Sequence, residues 1–190
     1  MNNVVPTRVF NLAYIIADSV FILGFLLALF LFKRRVALVW SLFGGVLYWA
    51  VDFLYFYLIS KSRSIYIDGA LANPMQTNLV LIWMSFSYGI TNFAFIWLAL
   101  SKDKYLPYWI GSIIVWWLLA PLFLSIPSLP IKTVRTTSAY HYPMLIILLI
   151  GYAIWIGIEL FKEKAGWKAL PRLLRLNAIG ISVQLLWEAA

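Results

Sequence analysis

Six apolar runs, each close to 20 residues long, dominate this sequence. A helix needs about 20 residues to cross the roughly 30 Å hydrocarbon core of a bilayer. The sequence therefore predicts an all-α fold, a polytopic transmembrane bundle of six helices in a single domain, 1–190. A seventh helix beyond Ala190 stays open, because the last run has no closing charge. The predicted spans are about 9–32, 36–59, 78–100, 106–125, 139–161 and 173–190.

The composition argues against a water-soluble domain. Hydrophobic residues make up 64% of the chain and charged residues only 12%, whereas about a quarter of a typical soluble domain is charged. Such a chain would expose large apolar patches in water, so we expect a lipid bilayer as its partner. The sequence contains no cysteine, which excludes disulfides, thiolate metal ligands and a cysteine nucleophile.

Positive charge predicts the orientation of the chain. Fifteen Lys and Arg against seven acids give a net charge of +8. Ten of these cations flank the loops after the first, third and fifth runs, and five lie at the other end. Cytoplasmic loops carry the excess of Lys and Arg, so we expect an inner or plasma membrane protein with its N-terminus outside. No basic run is interleaved with exposed aromatic residues, so nucleic acid is not an expected partner.

Carboxylates inside the apolar runs are the main candidates for function. Asp18, Asp52, Glu159 and Glu188 each lie in or at the edge of such a run. An ionised carboxylate there costs several kcal/mol unless it is paired or faces a wet cavity. In the predicted topology, Asp18, Asp52 and Glu188 share the outer half of the membrane. Glu159 lies beside Lys162 at the inner edge, where an interfacial ion pair is the expected role.

Polar residues at helical spacing occur on five of the six runs, four of which carry one of these acids, and this predicts a shared polar interior. The alternative is that Asn, Gln, Ser and Tyr side chains simply bond helix to helix, the expected role of Ser85 and Asn177. If the interior is a pocket, Tyr residues and carboxylates suit a small organic or cationic solute. The candidate substrate-binding residues are Asp18, Tyr48, Asp52, Tyr55, Tyr88, Asn92, His141, Gln184 and Glu188.

Two segments are predicted to lie away from the pocket. The fourth run has no polar stripe, so its tryptophans, including Trp116 and Trp117, are expected to face lipid or pack outside the polar bundle. The long loop at 60–77 contains an alternating segment, 64–68, that could lie at the membrane interface. We expect instead a plain connector with an interfacial aromatic residue.

A metal or cofactor is not expected. His141 is the single histidine, and the scattered carboxylates lack the spacing of a metal site. The imidazole would titrate near neutrality and could carry protons to the acids. A histidine in an aromatic belt at the membrane interface is an equally good interpretation.

Three functions fit the pattern. The leading one is binding or transport of a small organic or cationic solute, with or without coupled protons. The second is an intramembrane enzyme on an apolar, lipid-like or isoprenoid-type substrate, in which Asp52 and Glu188 donate and accept protons as catalytic residues. The third is a noncatalytic assembly subunit of a larger complex. The sequence leaves the oligomeric state open.

Overall fold

The computed structural model describes residues 7–135, together with isolated helical positions between 149 and 174. The chain divides into two compact units, Met1–Thr136 and Thr137–Ala190. The fold described below is that of the first unit. The single domain over 1–190 stays a prediction.

Four helices in the described part are long and apolar enough to cross a membrane. They agree with the first four predicted spans, whereas the fifth and sixth spans lie largely outside the described residues. Helix α2 continues into a π-helical segment, Ala50–Ile59, and α4 into a 3₁₀ segment, Ala120–Ser125. The helices are α1 (Leu12–Leu31), α2 (Arg35–Trp49), α3 (Pro74–Leu100) and α4 (Leu106–Leu119).

A four-stranded antiparallel sheet contradicts the prediction of an all-α chain, and the described residues hold four membrane-length helices rather than six. The alternating segment 64–68 is mostly a strand, not the expected connector. The sheet joins the start of α1, the end of the π-helical segment, the start of α3 and the segment after α4. We call this the sheet end, and the opposite end, with loops 32–34 and 101–105, the loop end. In spatial order the strands are β1 (Thr7–Asn11), β4 (Pro130–Arg135), β2 (Arg63–Ile67) and β3 (Ala70–Leu71).

Side-chain caps define where two of the helices begin. The Asn11 carboxamide accepts the Tyr14 backbone N–H at 2.8 Å, so β1 passes directly into α1. Asn73 and Gln76 bond each other's backbone N–H at 3.0 and 2.9 Å, and Pro74 occupies the first turn of α3. These contacts satisfy N–H groups that a helix start leaves unpaired. Both helices therefore start at the sheet end with fixed geometry.

Glycines allow α2 and α3 to pack closely. A Cβ atom built at Gly44 would lie 2.6 Å from the Gly89 carbonyl oxygen, and one at Gly45 would lie 2.9 Å from the Phe86 ring. Small residues at a crossing let helix backbones approach, a common basis of association in membranes. This crossing makes α2 and α3 the most closely associated pair of helices described.

Helix α3 is the central helix, and the others present apolar surface outward. Half of its most apolar stretch is buried, against 17% for α4. Leu23 and Leu118, on α1 and α4, are 67% and 73% exposed. Exposed apolar rows on several helices are the pattern expected of surfaces that face lipid.

Candidate functional site

Asp18 is a buried carboxylate held by neutral donors. It lies on α1 and is 3% exposed. The indole N–H of Trp83 donates to one of its oxygens at 2.9 Å, and that of Trp116 donates to the other at 2.7 Å. The Ser87 hydroxyl also bonds the carboxyl group. Within the described part of the chain, no Lys or Arg forms an ion pair with Asp18.

Aromatic packing holds the two indoles in place. Trp116 of α4 stacks on Phe21 with ring centroids 4.9 Å apart and planes 10° from parallel. Trp83 of α3 meets Phe10 edge to face at 5.1 Å and Tyr14 at 6.0 Å. Such pairs stabilise a fixed ring orientation beyond simple burial. The donors that face Asp18 are therefore pre-organised by three helices and a strand.

Two tyrosines and an arginine lie near Asp18. Tyr14 precedes Asp18 by about one helical turn, on the side of the sheet end, and both Tyr14 and Tyr88 are within electrostatic range of the Asp18 carboxyl group. The Arg8 guanidinium, from β1, lies 5.4 Å from the centroid of the Tyr88 ring. The predicted association of Asp18 with Tyr88 is thus present in the geometry, with Arg8 at its sheet side.

Asp52 has a different environment. It lies in the π-helical segment and forms an ion pair with Arg63, the first residue of β2. The Ser85 hydroxyl donates to its other oxygen at 3.3 Å. Asp52 and Arg63 are 4% and 8% exposed, so the pair is shielded from solvent. A buried carboxylate with a buried guanidinium is compensated, in contrast to Asp18.

The remaining predicted residues in the described region are dispersed. Tyr48 is half-buried and packs edge to face on Phe93 at 5.8 Å. Tyr55 is 46% exposed, although α-helical spacing predicts it on the Asp52 face. In a π-helix bonds run from i to i+5, so the residue three positions on points elsewhere. Asn92 is 8% exposed, and its amide nitrogen has no hydrogen-bond partner.

Four further predicted positions lie outside the described residues. They include the predicted catalytic partner of Asp52 and the proposed proton carrier. Their roles stay predictions. These positions are His141, Glu159, Gln184 and Glu188.

Sequence reasoning missed three residues that contact the two buried aspartates. Arg63 was used only to predict orientation. Its position soon after the span that contains Asp52, with Lys61 the one cation between them, was a signal for an ion pair. Trp83 has no sequence signal that distinguishes it from other tryptophans of the helices. Trp116 was expected to face lipid or lie outside the polar bundle, and this was wrong, because its indole N–H bonds Asp18.

A second ion pair stabilises the loop end. Asp103 pairs with Arg34, across the two loops, and accepts the Tyr105 backbone N–H at 2.8 Å. The Trp109 indole N–H also reaches Asp103, at 3.3 Å. Asp103 thereby connects the α1–α2 loop with the first turns of α4. It is not within a predicted pocket.

The described structure has the apolar, membrane-length helices of a membrane protein, with a sheet at one end and a buried carboxylate in its interior. No known protein family, curated protein or solved structure matches the chain. Its function is therefore argued from the geometry alone.

Proposed function

We propose that this is a multi-pass membrane protein that binds a small organic cation at Asp18, from the sheet end, as part of solute binding or transport. The observation that supports this is the contrast between its two buried aspartates. Asp52 has Arg63 beside it, whereas Asp18 has only neutral donors among the described residues. A buried carboxylate without a cation binds a proton or recruits a positive charge.

The surroundings of Asp18 favour a cation with an organic body. The indole N–H groups of Trp83 and Trp116 donate to the carboxyl group, and the Tyr14 ring packs edge to face on Trp83. Aromatic faces attract a cation electrostatically and also accept apolar groups. Protons compete for the same carboxylate, so binding and protonation are linked. This linkage is the basis for proposing proton-coupled handling of the solute.

The predicted orientation of the chain determines the side of the membrane from which the solute would reach Asp18. The sheet end faces outward, with the N-terminus outside, because the loops after the first, third and fifth runs carry the larger share of Lys and Arg. A solute would then approach from the outer side, past Arg8 and Tyr88.

The acid–base enzyme is less well supported than solute binding. That mechanism requires Asp52 to exchange protons with a substrate. The Arg63 guanidinium and the Ser85 hydroxyl occupy its two oxygens. An ion pair of this kind favours a structural role for Asp52.

The test is binding of quaternary ammonium probes to purified protein, followed by tryptophan fluorescence because Trp83 and Trp116 contact the site. We expect saturable binding to the parent protein and at least tenfold weaker binding to Asp18→Asn, which removes the charge and keeps the shape. Trp116→Phe should weaken binding less, because it keeps the ring and removes a single donor.

Asp68→Asn is the matched control. Asp68 lies in the β2–β3 turn, so the same Asp-to-Asn change is made there away from the proposed site. Its φ of 51° is one that asparagine adopts readily. Binding to this variant should equal that of the parent. If Asp18→Asn binds the probes as tightly as Asp68→Asn does, the proposed site is wrong.

A further inference from the structure

An open apolar groove runs between α1 and α4 toward the loop end. Its volume is about 580 Å³, within the range of roughly 300–1,000 Å³ typical of small-molecule sites. Gly24 leaves part of it open, since a Cβ atom built there would meet nothing within 4 Å. Tyr108, at its margin, is 75% exposed, so the groove opens sideways. The α1 side is formed by Phe21, Gly24, Phe25, Ala28 and Phe32, and the α4 side by Tyr105, Tyr108, Trp109 and Ser112.

The length of this groove corresponds to one leaflet of a bilayer. Along α1 it extends from Phe21 to Phe32. At a rise of about 1.5 Å per residue these positions are roughly 16 Å apart. The hydrocarbon core is about 30 Å thick, so the groove covers about half of it, from the loop end inward. A single acyl chain of that leaflet has the required length and polarity.

Two cations lie beside a ring at the loop-end margin of the groove. The Lys104 ammonium lies 4.7 Å from the centroid of the Tyr105 ring, which lines the groove, and the Arg34 guanidinium lies 5.7 Å from it. Loops 32–34 and 101–105, together with Arg35 at the start of α2, carry five cations and one acid, a net charge of +4. Juxtamembrane cations attract anionic lipid headgroups. The cations are Lys33, Arg34, Arg35, Lys102 and Lys104.

We propose that this groove is a binding site for one anionic phospholipid, with an acyl chain along Gly24 and the headgroup phosphate at Lys104. Lipid tails and apolar side chains are equally apolar, so the acyl chain alone gives the groove little preference for this lipid over bulk lipid. Selectivity comes from the headgroup charge. The proposal requires membrane insertion and is independent of cation binding at Asp18.

The test counts the lipids that purified protein retains by native mass spectrometry after reconstitution with phosphatidylglycerol and phosphatidylcholine. We expect one phosphatidylglycerol to be retained in preference to phosphatidylcholine. Gly24→Leu should lose it, because the new side chain fills the groove. Lys104→Gln should reduce the preference roughly fivefold, the effect of one surface cation.

Gly111→Leu is the matched control, because Gly111 lies on α4 outside the groove and also has open space at its Cβ position. It should retain the lipid as the parent does. A second measurement uses phosphatidylglycerol with brominated acyl chains, which quench the fluorescence of nearby tryptophans. Trp109 lines the groove, so the quenched component should be absent in Trp109→Phe. Retention by Gly24→Leu, equal retention of both lipids, absence of retained lipid, or occupation by a second copy of the chain would each overturn the proposal.

Discussion

Asp18 and Asp52 both lie in apolar helical segments, but among the described residues only Asp52 has a cation beside its carboxylate. Asp52 and Arg63 compensate each other out of contact with water, and this contact also links the π-helical segment to β2. Asp18 receives hydrogen bonds from two indoles and no positive charge within the described residues. Sequence reasoning could identify both carboxylates as unusual, because their cost in a bilayer depends on residue type alone. It could not distinguish them, because their partners lie 11 to 98 residues away along the chain.

The Asp52–Arg63 pair predicts a strong non-additivity in stability. Asp52→Asn or Arg63→Gln alone should lower the free energy of unfolding by about 3–5 kcal/mol, since each leaves a buried charge uncompensated. The double variant should lose clearly less than the sum of the two. Denaturation in mixed detergent and SDS micelles gives these values as a double-mutant cycle. Lys61→Gln, which removes an exposed neighbouring cation, should change stability by less than about 0.5 kcal/mol. Additive losses would show that the two charges do not interact.

The helices and the strands differ in how far sequence predicts them. The four described helices follow from apolar length, which is a local property. The sheet depends on pairing between β1 and β4, more than 100 residues apart, and strands of five or six residues give a weak local signal. The alternation at 64–68 was visible, but its partner strand was not. Thr7–Asn11 contains the first residues assigned to span one, so its strand character was hidden by the neighbouring apolar run.

Periodicity also failed within one correctly predicted helix. Spacing of 3.6 residues per turn predicts Asp52 and Tyr55 on one face, and the π-helical segment buries Asp52 and Phe56 instead. The change from α to π geometry occurs without a proline or glycine at the junction, so the sequence contains no conventional signal of it. The location of Tyr55 outside the Asp52 environment follows from that change.

The α2–α3 crossing predicts that Gly89 tolerates no side chain. In Gly89→Ala the new Cβ atom would lie 2.5 Å from the Gly44 carbonyl oxygen and 2.6 Å from the Gly45 backbone nitrogen. Backbone atoms cannot move aside as a side-chain end can, so we expect a loss of about 1–3 kcal/mol in unfolding free energy. Gly24→Ala, also within a helix but with open space, should be neutral or stabilising by up to about 1 kcal/mol. The same SDS denaturation measures both. Equal stability of the two variants would contradict the close crossing.

In the first unit as a whole, one sheet connects the sheet ends of four helices. The strand order places β4, from the end of this unit, between β1 and β2. Phe10, Ile65 and Ile131, one from each of these strands, are buried together with Leu81 and Met84 of α3. This apolar cluster packs the sheet against α3. The sheet therefore gives this end of the bundle a packed structure, with Arg8 of β1 beside Tyr88 of α3, which the expected simple loops would not provide.

The predicted orientation of this sheet can be tested with introduced cysteines. The sequence contains no cysteine, so one introduced cysteine is the only reactive thiol. Ser128→Cys lies in the exposed segment before β4, and Lys102→Cys lies in the exposed α3–α4 loop at the opposite end. With the sheet outside, an impermeant thiol reagent added to intact cells should label Ser128→Cys and not Lys102→Cys. Both should be labelled after the membrane is permeabilised, which controls for exposure of the thiol.

Labelling of Lys102→Cys alone in intact cells would reverse the orientation and place the approach to Asp18 on the cytoplasmic side. The site geometry would be unchanged, but the solute would then be one supplied from within the cell.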